Sequence, residues 1–537
     1  MTQYFLKKEF SIQMRLKQIP LSSWTFYLLV FLLLFPLFWL GCVLTHDGPA
    51  HVYNSFLMKE LIKGSNPASD FILLKTFPEP NILGHLLLAF LSIFFTPFVS
   101  EKIFLGLYIF LLPYFFRKTL LTVNKNSGAL ILLVLPFVYS YFFFGGMYNF
   151  LASIVILFAS IYFILPVFEK RGNRKYILIT VFSVLLYLSH LLTLGIFLLM
   201  LFLAWLFCLK KEKNKNNSSH LIFLLRSALP ILLALLPSLT LLFFYFINKP
   251  FLSINAPPVT FSEMINAFFY ISPIITLQHY PENIHSVFIL ALFLILLVIR
   301  IKNRNEKINP DESTKPFYQK TSYWMIIIIL MLLFFFFVPD QAASGGVIKF
   351  RFELYFFLFL IILFSTVPVK KTTGLFITIT ISVWMIFKMS YLFPRMKILN
   401  DDIAQAMSCQ NYIRENTILL PLNYSGNWMH SNIFNYTGSM KSVLVLDNYE
   451  AGVPHFPLIW KENRNPVVIL GDFNSNPPLC ANVQSFEKLT GHKIDYILMW
   501  DYNQMTDSCS QAIESVISSS YHLVCTKDSR LKLYERN

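Results

Sequence analysis

The sequence predicts a polytopic α-helical membrane protein of about 11–12 spans, each near the length a bilayer demands, with a small soluble α/β domain at its C-terminal end. Three observations predict it. Of 537 residues, 55% are hydrophobic and 14% charged, whereas soluble globular chains carry roughly 25% charged residues, so this surface is too apolar to face water alone. Apolar runs of spanning or near-spanning length recur between residues 24 and 393. From residue 395 onward the text changes to short β-branched runs separated by polar turns.

The first run, 24–44, follows a polar start with Lys7, Lys8, Arg15 and Lys17 and is not followed by a small-residue cleavage site. It therefore reads as an anchor rather than a cleaved signal. Further runs lie at 103–122, 128–144, 147–168, 176–190, 192–209, 221–247, 286–300, 322–338, 351–368 and 373–393. The stretch 81–98, interrupted by Gly84, His85 and Pro97, reads as interfacial or re-entrant. With that stretch not crossing and the N-terminus cytoplasmic, cytoplasmic segments hold 23 Lys and Arg against seven in the outer loops, the bias expected of membrane insertion. The net charge of +15 is thus a topological signature, and nucleic acid is not an expected partner. The reading places residues 1–394 in the membrane module and 395–537 in an extracytoplasmic domain.

In that domain, strands are expected at 417–422, 442–446, 467–470, 495–500, 521–525 and 531–535, and helices at 401–414, 483–490 and 508–518. Strands alternating with helices predict an α/β layer. Cys409, Cys480, Cys509 and Cys525 lie here. Their spacing leaves three full pairings open, with buried free thiols an equal alternative, and does not predict a metal site.

The polar chemistry collects on one side. Ten of the 11 histidines fall in outer segments, together with Asp47, Glu79, Glu101, Asp340 and other loop acids, while the span interiors are almost bare of charge. A transporter is expected to carry ionisable groups near the midplane on broken helices, so chemistry at the membrane face is the better expectation. In "THDGPAHVYNSFLMKELIKG", residues 45–64, Asp47 precedes a helix with Pro49 in its first turn and Gly64 at its end. Asp47 can be its N-cap, or a carboxylate aimed at a substrate with His51 one turn on. The helix is expected to lie on the membrane surface, its polar face carrying Asn54, Lys59 and Lys63. In "FFFGGMYNF", 142–150, Gly145-Gly146 permits a tight turn presenting Tyr148 and Asn149, which can bind sugar hydroxyls or cap the next span. His190 ends a span in "YLSHLL". In "VPDQAASGGVIKFRFELY", 338–355, Lys349 and Arg351 are outer cations against the bias; they can bind a phosphate or lipid headgroups.

A first span followed by an outer loop with an Asp, a juxtamembrane helix, a second polar loop two spans later and a soluble outer tail resembles the GT-C membrane glycosyltransferases. The likeness is to their protein O-mannosyltransferase and aminoarabinose-transferase branch, labelled RgtA/B/C/D-like in bacterial proteins. It implies a hexosyl- or pentosyltransferase of the bacterial inner membrane, using a polyprenyl-phosphate-linked sugar and a glycan, lipid or protein acceptor. By resemblance Asp47 is the general base of an inverting transfer. Lys349 and Arg351 would hold the phosphate, and His51, Glu79, His85, Glu101, Tyr148, Asn149, His190 and Asp340 are candidate substrate-binding residues. No cofactor is expected: the second-loop acid that helps hold a metal in such enzymes is missing from 142–150. The competing expectations are a non-catalytic membrane protein whose outer domain binds or assembles envelope polysaccharide, and a lipid or polysaccharide flippase.

Overall fold

A computed structural model describes residues 21–537 except 65–66, 171, 214–219, 249–258, 278, 307–314, 342–344, 472, 474–479 and 503–507. The basic start, Lys7 to Lys17, and much of the basic loops 210–220 and 300–321 lie outside the described residues. The chain is an integral membrane protein, mostly helical, with a sheet-containing C-terminal region. Among the described residues six helices are long and apolar enough to cross a bilayer.

In chain order the membrane half runs α1 (Leu21–Trp39), α2 (Gly48–Lys63), β1 (Ile72–Leu74), α3 (Leu83–Leu91), α4 (Pro97–Val123), α5 (Tyr141–Phe144), α6 (Tyr148–Phe168), α7 (Arg174–Ser189), α8 (Leu191–Lys213) and α9 (His220–Asn248). It continues through α10 (Phe261–Phe269), α11 (His279–Glu306), α12 (Thr321–Phe337), α13 (Ile348–Ser365) and α14 (Lys371–Ala406). With nine residues, α3 is far too short to cross, in keeping with the non-spanning reading of 81–98. The run 128–144 departs from expectation. Its first part, Gly128–Phe137, is a ten-residue 3-10 helix, and only the four residues of α5 are α-helical. Gly128 and Pro136 disfavour α-helix at either end. Such irregular backbone is tolerated at membrane depth only inside protein, and every residue from Leu130 to Ser140 is buried. One span holds a charge the sequence reading did not expect, Lys388, which pairs at 2.9 Å with Glu282 near the start of α11; Glu353, near the start of α13, accepts the Ser272 N–H at 3.1 Å. All three side chains are buried, so each charge is neutralised or hydrogen-bonded within the bundle.

The C-terminal region contains β2 (Thr417–Asn423), α15 (Asn435–Met440), β3 (Val443–Val445), β4 (Leu458–Trp460), α16 (Pro466–Leu470), α17 (Val483–Thr490), β5 (Tyr496–Trp500), α18 (Ser508–Ser520), β6 (Tyr521–Lys527) and β7 (Leu531–Arg536). One five-stranded sheet has the order β3-β2-β5-β7-β6. The β3-β2-β5 part is parallel, and β7 and β6 close it antiparallel. The expected strand at 467–470 is instead helix α16: Pro466 sits in its first turn and Asn465 caps it by accepting the Val467 N–H. The helix expected at 401–414 is the end of α14, which runs unbroken to Ala406. Cysteines 409 and 525 are joined, as are 480 and 509.

The C-terminal region is stitched onto the first outer loop. Strand β1 pairs antiparallel with β4, Ile72 opposite Trp460. The Tyr53 hydroxyl donates to the Val443 carbonyl at 2.9 Å and accepts the Val445 N–H at 3.0 Å. Helix α2 therefore presents only part of its expected polar face to water: Lys63 is exposed, whereas Asn54 is not. Asn54 is fully buried and exchanges amide hydrogen bonds with Asn448 at 2.9 and 2.8 Å. That reciprocal pairing is what lets a polar residue enter the core.

Candidate functional site

In open α/β sheets, function collects outside the carboxyl ends of parallel strands. Here the loops after β2 and β3 lie over the N-terminus of α2, and the turn between α5 and α6 supports it from the membrane side. The His46 N–H donates to the Phe144 carbonyl at 2.7 Å and the Asp47 N–H to that of Gly145 at 3.3 Å. Gly146 has φ +71, and a Cβ there would stand 2.6 Å from the backbone nitrogens of both Asp47 and Gly48. The Gly145-Gly146 turn is thus the seat of the Asp47 loop.

Asp47 occupies the N-cap position of α2, yet its side chain makes no capping hydrogen bond. The carboxylate instead accepts from Asn432 Nδ2 at 3.3 Å, stands 3.6 Å from His46 Nε2 and bonds the Tyr449 side chain. It is 20% exposed. Burial raises its pKa, against the opposing pull of His46 and His51. A carboxyl so tuned is a stronger proton acceptor than a surface Asp.

One turn on, His51 Nδ1 lies 2.5 Å from Glu450 Oε1 and 3.2 Å from His85 Nε2. His85 Nε2 in turn lies 2.9 Å from Glu450 Oε2. All three side chains are buried, and this is a group of the kind that can hold a metal ion. Burial works against both charges, but pairing prevails: His51 is raised by Glu450, and Glu450 is held down to about 2 by His51 and His85.

Deeper, Glu101 accepts from Tyr148 Oη at 2.5 Å and from Tyr436 Oη at 2.7 Å, and Tyr148 also meets Thr45 Oγ1 at 2.9 Å. Asn149 Oδ1 accepts the Gly84 N–H at 2.6 Å, satisfying the first turn of α3. Glu101 and Tyr148 thereby tie α4 and α6 to Thr45 and to α15, and Asn149 ties α6 to α3.

The cations sit at the start of α13. Lys349 Nζ donates to the Phe335 and Phe336 carbonyls at 2.9 and 3.2 Å, closing the end of α12, while the Lys349 N–H donates to Asp340 Oδ1 at 2.9 Å. Both residues line a cavity of about 600 Å³, with Thr260, Glu263 and Phe335. Arg351 donates to the Gly346 carbonyl at 2.8 Å, reaches Met147 Sδ at 3.5 Å and stacks over Phe150 at 5.2 Å. Among the described residues no carboxylate pairs with it, and its Nε is buried without a hydrogen bond. His190 packs edge-on against the same Phe150 ring at 5.0 Å.

Asp47 and Arg351 thus stand on two sides of the Gly145-Gly146-Met147 turn, and Tyr141 is within electrostatic reach of both. His51 and His85 gather beside Asp47, and Glu101 and Tyr148 lie beneath. Glu79 does not join them: it lies 3.7 Å from Lys75, near Tyr187 and Tyr245. The sequence reading missed Asn432, Tyr436, Tyr449 and Glu450, all from the C-terminal region. The only signal was the polar run "DNYE" straight after the β3 pattern, at the strand end where function collects.

No family model and no curated protein sequence matches the chain. Among solved structures, it is similar to the crystal structure of ArnT from Cupriavidus metallidurans bound to undecaprenyl phosphate. The two share 10% sequence identity over 96% of this chain and 98% of that one, with a TM-score of 0.42.

Proposed function

We propose that this membrane protein is an inverting glycosyltransferase that moves a sugar from a polyprenyl-phosphate donor to an acceptor hydroxyl. The observation that carries the reading is the placing of a largely sheltered carboxylate that caps no helix, Asp47, and an arginine with no salt-bridged carboxylate among the described residues, Arg351, on two sides of one glycine turn. The layout of first loop, juxtamembrane helix and soluble tail, which resembles GT-C enzymes, supports the same reading.

In the proposed reaction Asp47 accepts the proton of the acceptor hydroxyl as its oxygen bonds to the anomeric carbon. The bond from that carbon to the phosphate oxygen breaks on the opposite face, and polyprenyl phosphate departs with the electron pair. Arg351 neutralises the departing anion, with the geometric advantage of a planar fork. The cavity beside Lys349 and Asp340 has a volume suited to a small ligand, and in the proposed reaction it receives part of the donor headgroup beside Lys349. Asn432 and Tyr449, which hold the Asp47 carboxylate, keep it in line for the hydroxyl.

Asp47→Asn tests the base directly. It preserves size and hydrogen bonding to Asn432 but cannot take a proton. Sugar transfer from a lipid-phosphate donor by purified protein should fall by roughly 10²–10⁴, the usual contribution of a general base, with the thermal melt little changed because no cap is lost. Wild-type turnover in that variant would remove Asp47 from the chemistry.

A further inference from the structure

Strand β2 runs at its carboxyl end into a loop, Asn423 to His430, whose polar side chains take no part in the chemistry proposed at Asp47. Ser425 Oγ lies 2.7 Å from His430 Nδ1. His430 Nε2 lies 3.0 Å from Asp402 Oδ2, near the end of α14. The other Asp402 oxygen accepts from Arg530, between β6 and β7, at 3.3 Å. Arg530 is itself gripped by both oxygens of Asp501, at 2.6 and 2.8 Å. A hydroxyl within reach of a base, and a base oriented by a third group, is the arrangement nucleophilic catalysis requires. Turn formation accounts for part of it: Ser425 Oγ accepts the Asn427 N–H at 3.2 Å, and the Ser425 N–H donates to Asn423 Oδ1 at 3.0 Å. It does not account for Asp402 and Arg530, which reach the ring from two other parts of the chain.

The proton positions are consistent with a working triad. A carboxylate only accepts, so His430 Nε2 carries the ring proton; Asn427 Nδ2, 3.3 Å from the same nitrogen, is the longer and weaker contact. In a neutral imidazole Nδ1 then holds the lone pair, and the Ser425 O–H donates to it. The ring is turned in the opposite sense to the serine proteases, in which the serine faces Nε2, but a triad is defined by geometry and roles. The orienting groups are sheltered, with His430 4% and Asp402 14% exposed, whereas Ser425 is half-buried and Gly426 exposed. Among the described residues the Gly426 N–H has no hydrogen-bond partner. The N–H of the residue after the nucleophile is a standard oxyanion donor.

We propose that Ser425, His430 and Asp402 form a separate active site, an esterase that hydrolyses short acyl esters. Ser425 Oγ attacks the ester carbonyl carbon as its proton passes to His430 Nδ1. The carbonyl electron pair moves onto oxygen, where the Gly426 N–H stabilises it. That pair returns as the bond to the alcohol oxygen breaks, and the alcohol leaves with the proton from His430. Water then attacks the acyl-serine with His430 again as base, releasing the acid and restoring the serine. Asp402 is a positioning residue that holds the ring through Nε2. A Cβ on Gly426 would meet nothing within 4 Å, so the serine opens on solvent rather than into an acyl tunnel. That suits an acetyl-sized group carried on a larger molecule. The assignment stands whether or not Asp47 is a base.

The test treats full-length protein in detergent with a fluorophosphonate probe and maps the label by peptide mass spectrometry. About one label per chain is expected, on Ser425, in folded but not in heat-unfolded protein. The same samples should hydrolyse p-nitrophenyl acetate. Ser425→Ala should remove both signals and keep the melt. His430→Gln should slow ester hydrolysis by roughly 10²–10⁴, the usual contribution of a general base. Asp402→Asn should lower kcat with KM kept, a split that a merely structural role would not produce. Folded wild-type protein that takes no label, or takes it on another residue, has a hydrogen-bonded turn only, and the proposal is overturned. A labelled Ser425 without ester hydrolysis overturns it as well. If Ser425→Ala does not fold, the mapped wild-type label and wild-type hydrolysis decide.

Discussion

Asp47 owes its position to two glycines. At Gly146 the chain turns with φ +71, and the space a side chain would fill is taken by the Asp47 and Gly48 backbone. A Cβ on Gly48 would run into Thr45, Tyr148 and Glu101. Gly146→Ala should therefore displace the Asp47 loop rather than merely strain the turn. Turnover should drop by about 10², the effect of an ångström-scale misplacement of catalytic groups, and donor binding should survive if Arg351 remains in place; single-turnover assays with donor titration separate the two. In the proposed reaction Asp47 also sets a pH dependence. Burial raises its carboxyl, so the ionised base appears only above the ordinary Asp range. The kcat/KM profile should rise with pH through that raised value, and Asp47→Asn should abolish the rising limb. Linkage gives stability the opposite sign: a folded pKa above the unfolded one favours the folded state below the unfolded pKa, and that contribution is lost as pH rises through the folded value. At this scale the sequence was legible wherever neighbours in space are neighbours in text: Asp47, His51 and the Gly145-Gly146 turn were all readable. Glu450 was not, because its partner His85 lies 365 residues away and no local pattern records such a contact.

Among the elements, helix periodicity and β-branched runs were good guides where local preference and burial agree. They failed where context overrode them. The run 128–137 is as apolar as its helical neighbours, yet packing on every side lets it adopt 3-10 geometry that lipid exposure would forbid. "VVIL" reads as a strand, but Asn465 and Pro466 start a helix there. Strands β1 and β4, three residues each, are too short to leave a pattern and exist because each supplies the other's hydrogen bonds. The bridge between Cys409 and Cys525 spans 116 residues and ties the end of α14 to β6. Replacing both by alanine should destabilise the C-terminal region by about 4–5 kcal/mol, the loop-entropy scale for a closure near 100 residues. Limited proteolysis and a melt, compared with the untreated and the reduced wild type, check this; an unchanged melt would mean the fold does not depend on that bridge.

For the whole molecule, the sequence carried the class: apolar runs dictate a helical membrane module, and the change in composition after residue 395 marks the sheet region. It did not carry the docking. The two parts share buried hydrogen bonds, Tyr436 with Glu101, Tyr53 with β3 and Asn54 with Asn448, which only the folded chain reveals. We propose the orientation given by the 23-to-seven charge split, with the C-terminal region outside the cytoplasm. In intact cells a membrane-impermeant maleimide should label Cys at position 468, where Val468 is 80% exposed, and should reach Asn173→Cys in the basic 169–175 loop only after permeabilisation. The reverse pattern would invert the topology.

The pairing of β1 with β4 also has a temporal side. Lys75, next to β1, takes the Pro454 carbonyl as a partner 379 residues downstream. At 5–20 residues per second of translation, that partner is made on the order of 20–80 s later. Through that interval the nascent chain has its carboxylate and its first histidines but lacks Asn432, Tyr436, Tyr449 and Glu450. A ribosome stalled anywhere before the last quarter of the message therefore releases a membrane-inserted chain with an unfinished pocket and an unpaired strand edge, incompetent for the proposed transfer and exposed to quality control.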